Sequence, residues 1–213
     1  MKKKRNSKKQ GLFEKNKVII LNVLGILFIL WGILAVANAI LQPQENNAGI
    51  LWICYIALFA IGFGIILKSD HLLVAQVNII AVPFLVYLLD FVYRFSTGSS
   101  LFGITDYLFL EWPPISKIVS MQHLFTIPLT LFALYLIKIK RRDYYLMSFF
   151  ELIIVFLATY LFTNPADNIN CVFSSCIPVS LTGIYYFDWF IGIFIVVFVT
   201  NEIIIRMPWF KLK

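Results

Sequence analysis

Two charged side chains, Asp90 and Arg94, interrupt the apolar run "LVYLLDFVYRF". Four residues apart on a helix, they share a face. They can pair there, or Arg94 can receive an anionic headgroup or carboxylate that Asp90 orients. A charge placed in hydrocarbon costs roughly 2.5–3.5 kcal/mol on insertion scales, so such residues tend to be paired, buried among helices, or functional. His123 opens a second polar stripe with Thr126 and Thr130, in a segment that also holds Pro128. Proline removes a backbone donor and frees a carbonyl near Leu124, so a kink beside the histidine is expected. A hydrogen-bonded buried histidine and a general base or acid both fit this pattern. Cys54, in "LWICYIALF", reads as a small buried apolar residue; within hydrogen-bonding distance of His123 it would become a thiolate nucleophile. Cys171 and Cys176 can form a small disulfide or stand as free or redox-active thiols. Their C-x4-C spacing is not the C-x-x-C of thiol oxidoreductases, and three cysteines beside one intramembrane histidine make a poor metal set. Neither a metal nor a cofactor is expected.

The elements that must position these residues are membrane helices. Of 213 residues, 61% are hydrophobic and only 14% charged, more apolar surface than a water-soluble domain of this size can hide. Apolar runs over 18–41, 50–67, 72–93, 118–137, 144–162 and 185–205 each approach the ~20 residues that cross a bilayer as a helix. The expected fold is therefore all-α, a polytopic integral membrane protein with six transmembrane helices. Lys and Arg sort by side: eight lie in residues 1–17, one at Lys68, four in "KIKRRD" and three after residue 205, against Arg94 and Lys117 alone on the other side. That bias places both termini in the cytoplasm and the chain in the cell membrane. The basic segment 1–17 and the tail 206–213 read as topology anchors touching anionic lipid heads, not as nucleic-acid binders. Ala35, Ala37 and Ala39 resemble a signal-peptide cleavage site, but the basic and apolar stretches before them are longer than such a leader uses.

Two outer loops, 95–117 and 163–184, carry further polar candidates. The first contains "LFGITDYLFL", too short to cross and too apolar to float free, and is expected to lie at the interface or dip back. It supplies Thr105 and Asp106. The second is rich in turn-forming residues, reads as an ordered cap, and supplies Asn168 and Asn170. With Asn38, Cys54, Asp90, Arg94, His123 and Asp188, these residues are expected in one layer beneath the outer boundary. Glu151 sits deeper from the cytoplasmic side, in need of a partner such as Asn78 or Asn22, and can belong to a proton path.

The run Asp90-Phe91-x-x-Arg94, then "LFGITDY", His123 with Pro128, and "YLFTNPADNINCVF" resembles an uncharacterised bacterial family of polytopic membrane-associated proteins over roughly residues 85–175. The family pattern reads N-I-N-W-V-F; Cys171 replaces its Trp, which makes a Cys171–Cys176 bridge a local feature. The resemblance marks positions and supplies no reaction. "WICYI" and the His123 segment are also similar to the androgen-induced membrane hydrolases, six-span proteins that cleave lipid esters with a Thr and a His. That likeness puts Cys54 at the Thr position and His123 at the His position.

Three functions are compatible with these readings. The leading one is a small transporter or an assembly or binding protein, with membrane lipids and a lipophilic or anionic small molecule as partners. The alternative is a membrane-embedded hydrolase or acyl-transfer enzyme acting on lipophilic esters, with His123 as base and Cys54 as nucleophile. A third is thiol redox work by Cys171 and Cys176, which requires a mobile loop and a quinone site.

Overall fold

A computed structural model describes residues 2–41, 48–176 and 182–211, with side chains from residue 16 onward. Met1, the side chains of 2–15 in the basic segment, residues 177–181 of the 163–184 loop and residues 212–213 of the tail lie outside the described residues. The described residues form helices and no strands: α1 (Lys2–Leu41), α2 (Ile53–Ile66), α3 (Asp70–Thr97), α4 (Pro114–Ser120), α5 (Gln122–Ile137), α6 (Tyr144–Phe162) and α7 (Tyr185–Arg206). Five segments are long and apolar enough to cross a membrane: Asn16–Leu41, Asp70–Thr97, Pro114–Ile137, Tyr144–Phe162 and Tyr185–Arg206. The apolar α2 has only 14 residues in helix; the 3₁₀ turn Ala48–Leu51 precedes it.

The most deeply buried of these segments is α3, which packs against α2, α5, α6 and α7. Its start is capped by Ser69, whose hydroxyl accepts from Leu72 N–H at 3.3 Å. Its end is Gly98, in the left-handed region at φ +77°, whose N–H returns to the Arg94 carbonyl. One residue, Met121, separates α4 from α5, and α5 continues through Pro128. Ala35, Ala37 and Ala39 lie within α1.

The pairing of α1 with α2 depends on close backbone approach. A Cβ at Gly25 would stand 2.9 Å from the Gly62 carbonyl oxygen, and one at Gly62 would stand 2.9 Å from that of Gly25. Small residues of this kind let apolar helices touch where lipid offers no hydrophobic drive to associate.

Asp70, at the start of α3, holds the turn between α5 and α6. Its carboxylate accepts from Lys140 N–H at 2.8 Å and from the Tyr144 hydroxyl at 2.6 Å. The chain after α7 docks on the same turn, through Ile139 N–H to Phe210 O at 2.7 Å. This end of the bundle carries Lys68, Arg141, Arg142 and Lys211 and is its basic end. The opposite end is capped by the loops after α3 and α6.

Candidate functional site

At the capped end, the fully buried Asp90 carboxylate is the anchor of the loop after α3. One oxygen accepts from Leu101 N–H at 2.9 Å and Phe102 N–H at 2.8 Å. The other accepts from Thr105 N–H at 2.8 Å and the Thr105 hydroxyl at 2.7 Å. Four bonds exhaust the acceptor capacity of a carboxylate. The local pair expected between Asp90 and Arg94 is therefore not the one that forms. Arg94 instead reaches into the loop: its Nε is 3.6 Å from Asp106, it donates to the Gly98 carbonyl, and its guanidinium lies over Phe109 at 5.7 Å. Asp106 also accepts from Ser100 at 3.2 Å. So held, the loop turns Leu101, Phe102, Phe109 and Leu110 outward.

His123 serves the same loop indirectly. Its Nδ1 is 2.8 Å from the Ser120 carbonyl, and its ring stacks on Tyr87 at 4.2 Å and packs on Phe84 at 4.6 Å. The Tyr87 hydroxyl is 2.9 Å from that of Tyr107 in the loop, and burial pushes the Tyr107 phenol above its ordinary pKa. Cys54 is a free thiol set against the Gln122 amide, with Tyr87 and Tyr107 nearby. The ring hydrogen bond of His123 goes to Ser120 and not to Cys54. Gln122 is fully buried, and neither its amide nitrogen nor its oxygen has a partner in hydrogen-bonding geometry; the same holds for the Thr126 hydroxyl.

The loop after α6 forms a separate clamp. Asn170, at φ +54°, accepts from Ile53 N–H at 2.9 Å at the start of α2 and donates to Leu51 O at 2.8 Å and to the Thr159 hydroxyl at 3.1 Å. It thereby ties α2 to α6. Asn168, also left-handed, accepts from Phe173 and Ser174 N–H groups and donates to Ser174 O. Cys171 and Cys176 are disulfide-bonded, and the Tyr185 hydroxyl donates to Cys171 O. Asn38 accepts from Ser116 at 3.2 Å, and Asp188 accepts from the Thr182 N–H and hydroxyl, each at 2.7 Å.

A second polar set lies deeper, toward the basic end. Gln76, fully buried on α3, donates to Glu151 on α6 at 2.6 Å; neither expected partner, Asn78 nor Asn22, is the one used. Asn78 donates instead to Ser148 at 3.3 Å and to Asn201 at 3.2 Å. After these bonds, the other oxygens of Gln76 and Glu151 are buried without a partner. Glu151 lines a groove of about 410 Å³ between α2 and α6, whose remaining lining is apolar: Leu51, Ile56, Ala60, Met147, Phe150, Ile154, Val155 and Ala158.

The residues named from sequence thus divide. Asp90, Arg94, Thr105 and Asp106 meet in one loop clamp, Asn168 and Asn170 build another, and His123 supports the first through Tyr87. Tyr87, Tyr107, Gln76 and Gln122 were missed. An amide in an apolar span was the available signal for both glutamines. Among the described residues no group of three or more His, Cys, Asp or Glu could hold a metal ion. Comparisons with protein-family models, with curated proteins and with solved structures find no match to this chain.

Proposed function

We propose that this chain is a six-span protein of the cell membrane, with both termini cytoplasmic, that binds a lipophilic molecule taken sideways from the bilayer. The charge bias supports the orientation, and α2 with its apolar flanks, residues 50–67, supplies the sixth span. Binding is favoured over chemistry because the capped-end groups are already committed: Asp90 is saturated by the loop, and His123 is bonded to Ser120 rather than poised on Cys54. Transport needs a polar route joining the two polar layers, and α3 sets the buried Ile79, Ile80 and Phe84 between them.

The observation that carries the reading is Glu151, which lines an apolar groove and whose second carboxylate oxygen is buried without a partner. Polar groups buried in a membrane are costly when unpaired, and an intramembrane carboxylate is by default a functional candidate. About 410 Å³ falls within the range of roughly 300–1,000 Å³ for small-molecule sites. The lining runs from Met147 to Ala158 on α6, about 16 Å at 1.5 Å per residue, which suits an extended hydrocarbon chain.

The test is native mass spectrometry of protein purified from membranes and stripped stepwise of lipid. Wild type should retain a lipophile after bulk lipid is lost, and Ala60→Trp, which fills the groove, should not. Equal retention by the two proteins, or none by either, overturns the proposal.

A further inference from the structure

We infer that the lipophile bound in the α2/α6 groove carries a cationic amine, which meets Glu151. This deepens the groove reading and rests on it. Two acceptor oxygens, one from each member of the Gln76–Glu151 pair, are buried without a hydrogen-bond partner among the described residues, and of the two residues Glu151 is the one that lines the groove. The pair's own hydrogen bond fixes which atoms are left over: the Gln76 amide N–H₂ faces the carboxylate, so the amide oxygen is turned elsewhere. What the site lacks is hydrogen-bond donors and positive charge.

The surrounding groove supplies neither, since every other lining residue is apolar. Among the described residues no Lys, Arg or His pairs with Glu151; Arg94 pairs with Asp106 and Arg206 with Glu202. A carboxylate in a low-dielectric setting favours a partner that returns both the charge and the hydrogen bonds it lost on leaving water. An ammonium has three donors and no acceptor, so it can bond the Glu151 carboxylate and neutralise it at once. A hydroxyl offers one donor and no charge. A fatty carboxylate would add a like charge beside Glu151, which is repulsive. The apolar walls meanwhile accept the alkyl chain.

The experiment measures binding of dodecylamine, dodecanol and dodecanoate to the full chain in zwitterionic nanodiscs. Competition against a fluorescent alkyl probe is the readout, and Ala60→Trp nanodiscs define non-specific partition. Wild type should bind dodecylamine at least tenfold more tightly than dodecanol, with dodecanoate weakest. Glu151→Gln keeps an oxygen for the Gln76 bond but loses the charge; it should fold, still bind dodecanol, and show an amine preference reduced to threefold or less. If dodecanol binds wild type as tightly as the amine, or if Glu151→Gln keeps the full preference, the amine inference fails while the groove stands. If none of the three binds wild type above the Ala60→Trp background, the groove reading fails, and the inference with it.

Discussion

Replacing Asp90 by Asn tests whether this carboxylate exists to hold the loop after α3. Asparagine keeps one oxygen, so one pair of the four hydrogen bonds must face an amide N–H₂ instead. The cheaper arrangement puts the nitrogen toward Thr105, whose hydroxyl can turn and accept. The Thr105 N–H is then left without a partner, at a cost of about 1–3 kcal/mol for a buried donor. The bonds from Leu101 and Phe102 survive but lose their charge assistance, worth about 0.5–1 kcal/mol each given that charged bonds are roughly twice as strong. The total is about 3 kcal/mol, or about a hundredfold in a local opening equilibrium at 1.4 kcal/mol per tenfold. Amide hydrogen exchange followed by mass spectrometry should show residues 98–110 losing about two decades of protection while α6 is unchanged. Arg94→Gln is the contrast. Its ion-pair partner is 3.6 Å away and the two side chains are 25% and 39% exposed, so losing that pair with the exposed Gly98 bond and the Phe109 contact should cost about 1–2 kcal/mol, about tenfold in protection and less than Asp90→Asn. Wild-type exchange across 98–110 in Asp90→Asn would refute the anchoring argument.

Gly62→Ala places a Cβ 2.6 Å from Ile29 Cγ1 and 2.9 Å from the Gly25 carbonyl, so α1 and α2 must separate and the melting temperature in detergent should fall; Gly192→Ala, which meets nothing within 4 Å, should leave it unchanged or raise it, since alanine adds up to about 1 kcal/mol of helix propensity. Asn170→Ala removes three side-chain hydrogen bonds at about 1 kcal/mol each and puts alanine at φ +54°, so it should destabilise by about 3 kcal/mol, read as increased exchange at the start of α2. His123→Phe keeps the stack on Tyr87 and loses one hydrogen bond, a cost of about 1 kcal/mol, whereas His123→Ala opens a cavity and should cost about 3 kcal/mol in thermal unfolding. An electrophilic lipid probe should label Cys54 no faster in wild type than in His123→Phe; His123-dependent labelling would restore the hydrolase reading.

The helices were legible because a membrane segment announces itself by length and apolarity, and the run 144–162 coincides with α6 residue for residue. The partners of the charged residues were not. The i, i+4 rule is a local rule, and it paired Asp90 with Arg94; the donors that fill Asp90 are three backbone N–H groups and the Thr105 hydroxyl, 11 to 15 residues away, in a loop whose path no periodicity encodes. Glu151 was recognisable as costly, but its partner depended on the rotation of α3 about its axis. A helix apolar nearly all round carries little information about which face meets which neighbour. Asn170 shows a third limit: its side chain acts across 117 residues of sequence, at the start of α2, and nothing near it in the chain points there.

The central helix offers a scale against which the carboxylates can be told apart. Asp70 and Asp90 are twenty residues apart on α3, about 30 Å at 1.5 Å per residue, which is the thickness of a bilayer's hydrocarbon core. Both are buried, and each accepts backbone N–H groups from a connecting segment: Lys140 at one end, Leu101, Phe102 and Thr105 at the other. Loop backbone carried toward hydrocarbon must have its donors satisfied within the protein. Two acids spaced by a membrane's thickness meet that need at the two levels where loops begin. Glu151 does not belong to this scheme. Its partner Gln76 is six residues from Asp70, about 9 Å further in along α3, and the bond Glu151 accepts there comes from a side-chain amide and not from loop backbone. A carboxylate at that depth gains nothing from the loops, and its second oxygen stays free beside a groove. The same side-chain chemistry is consumed by architecture at the ends of α3 and left available only where the architecture has no use for it.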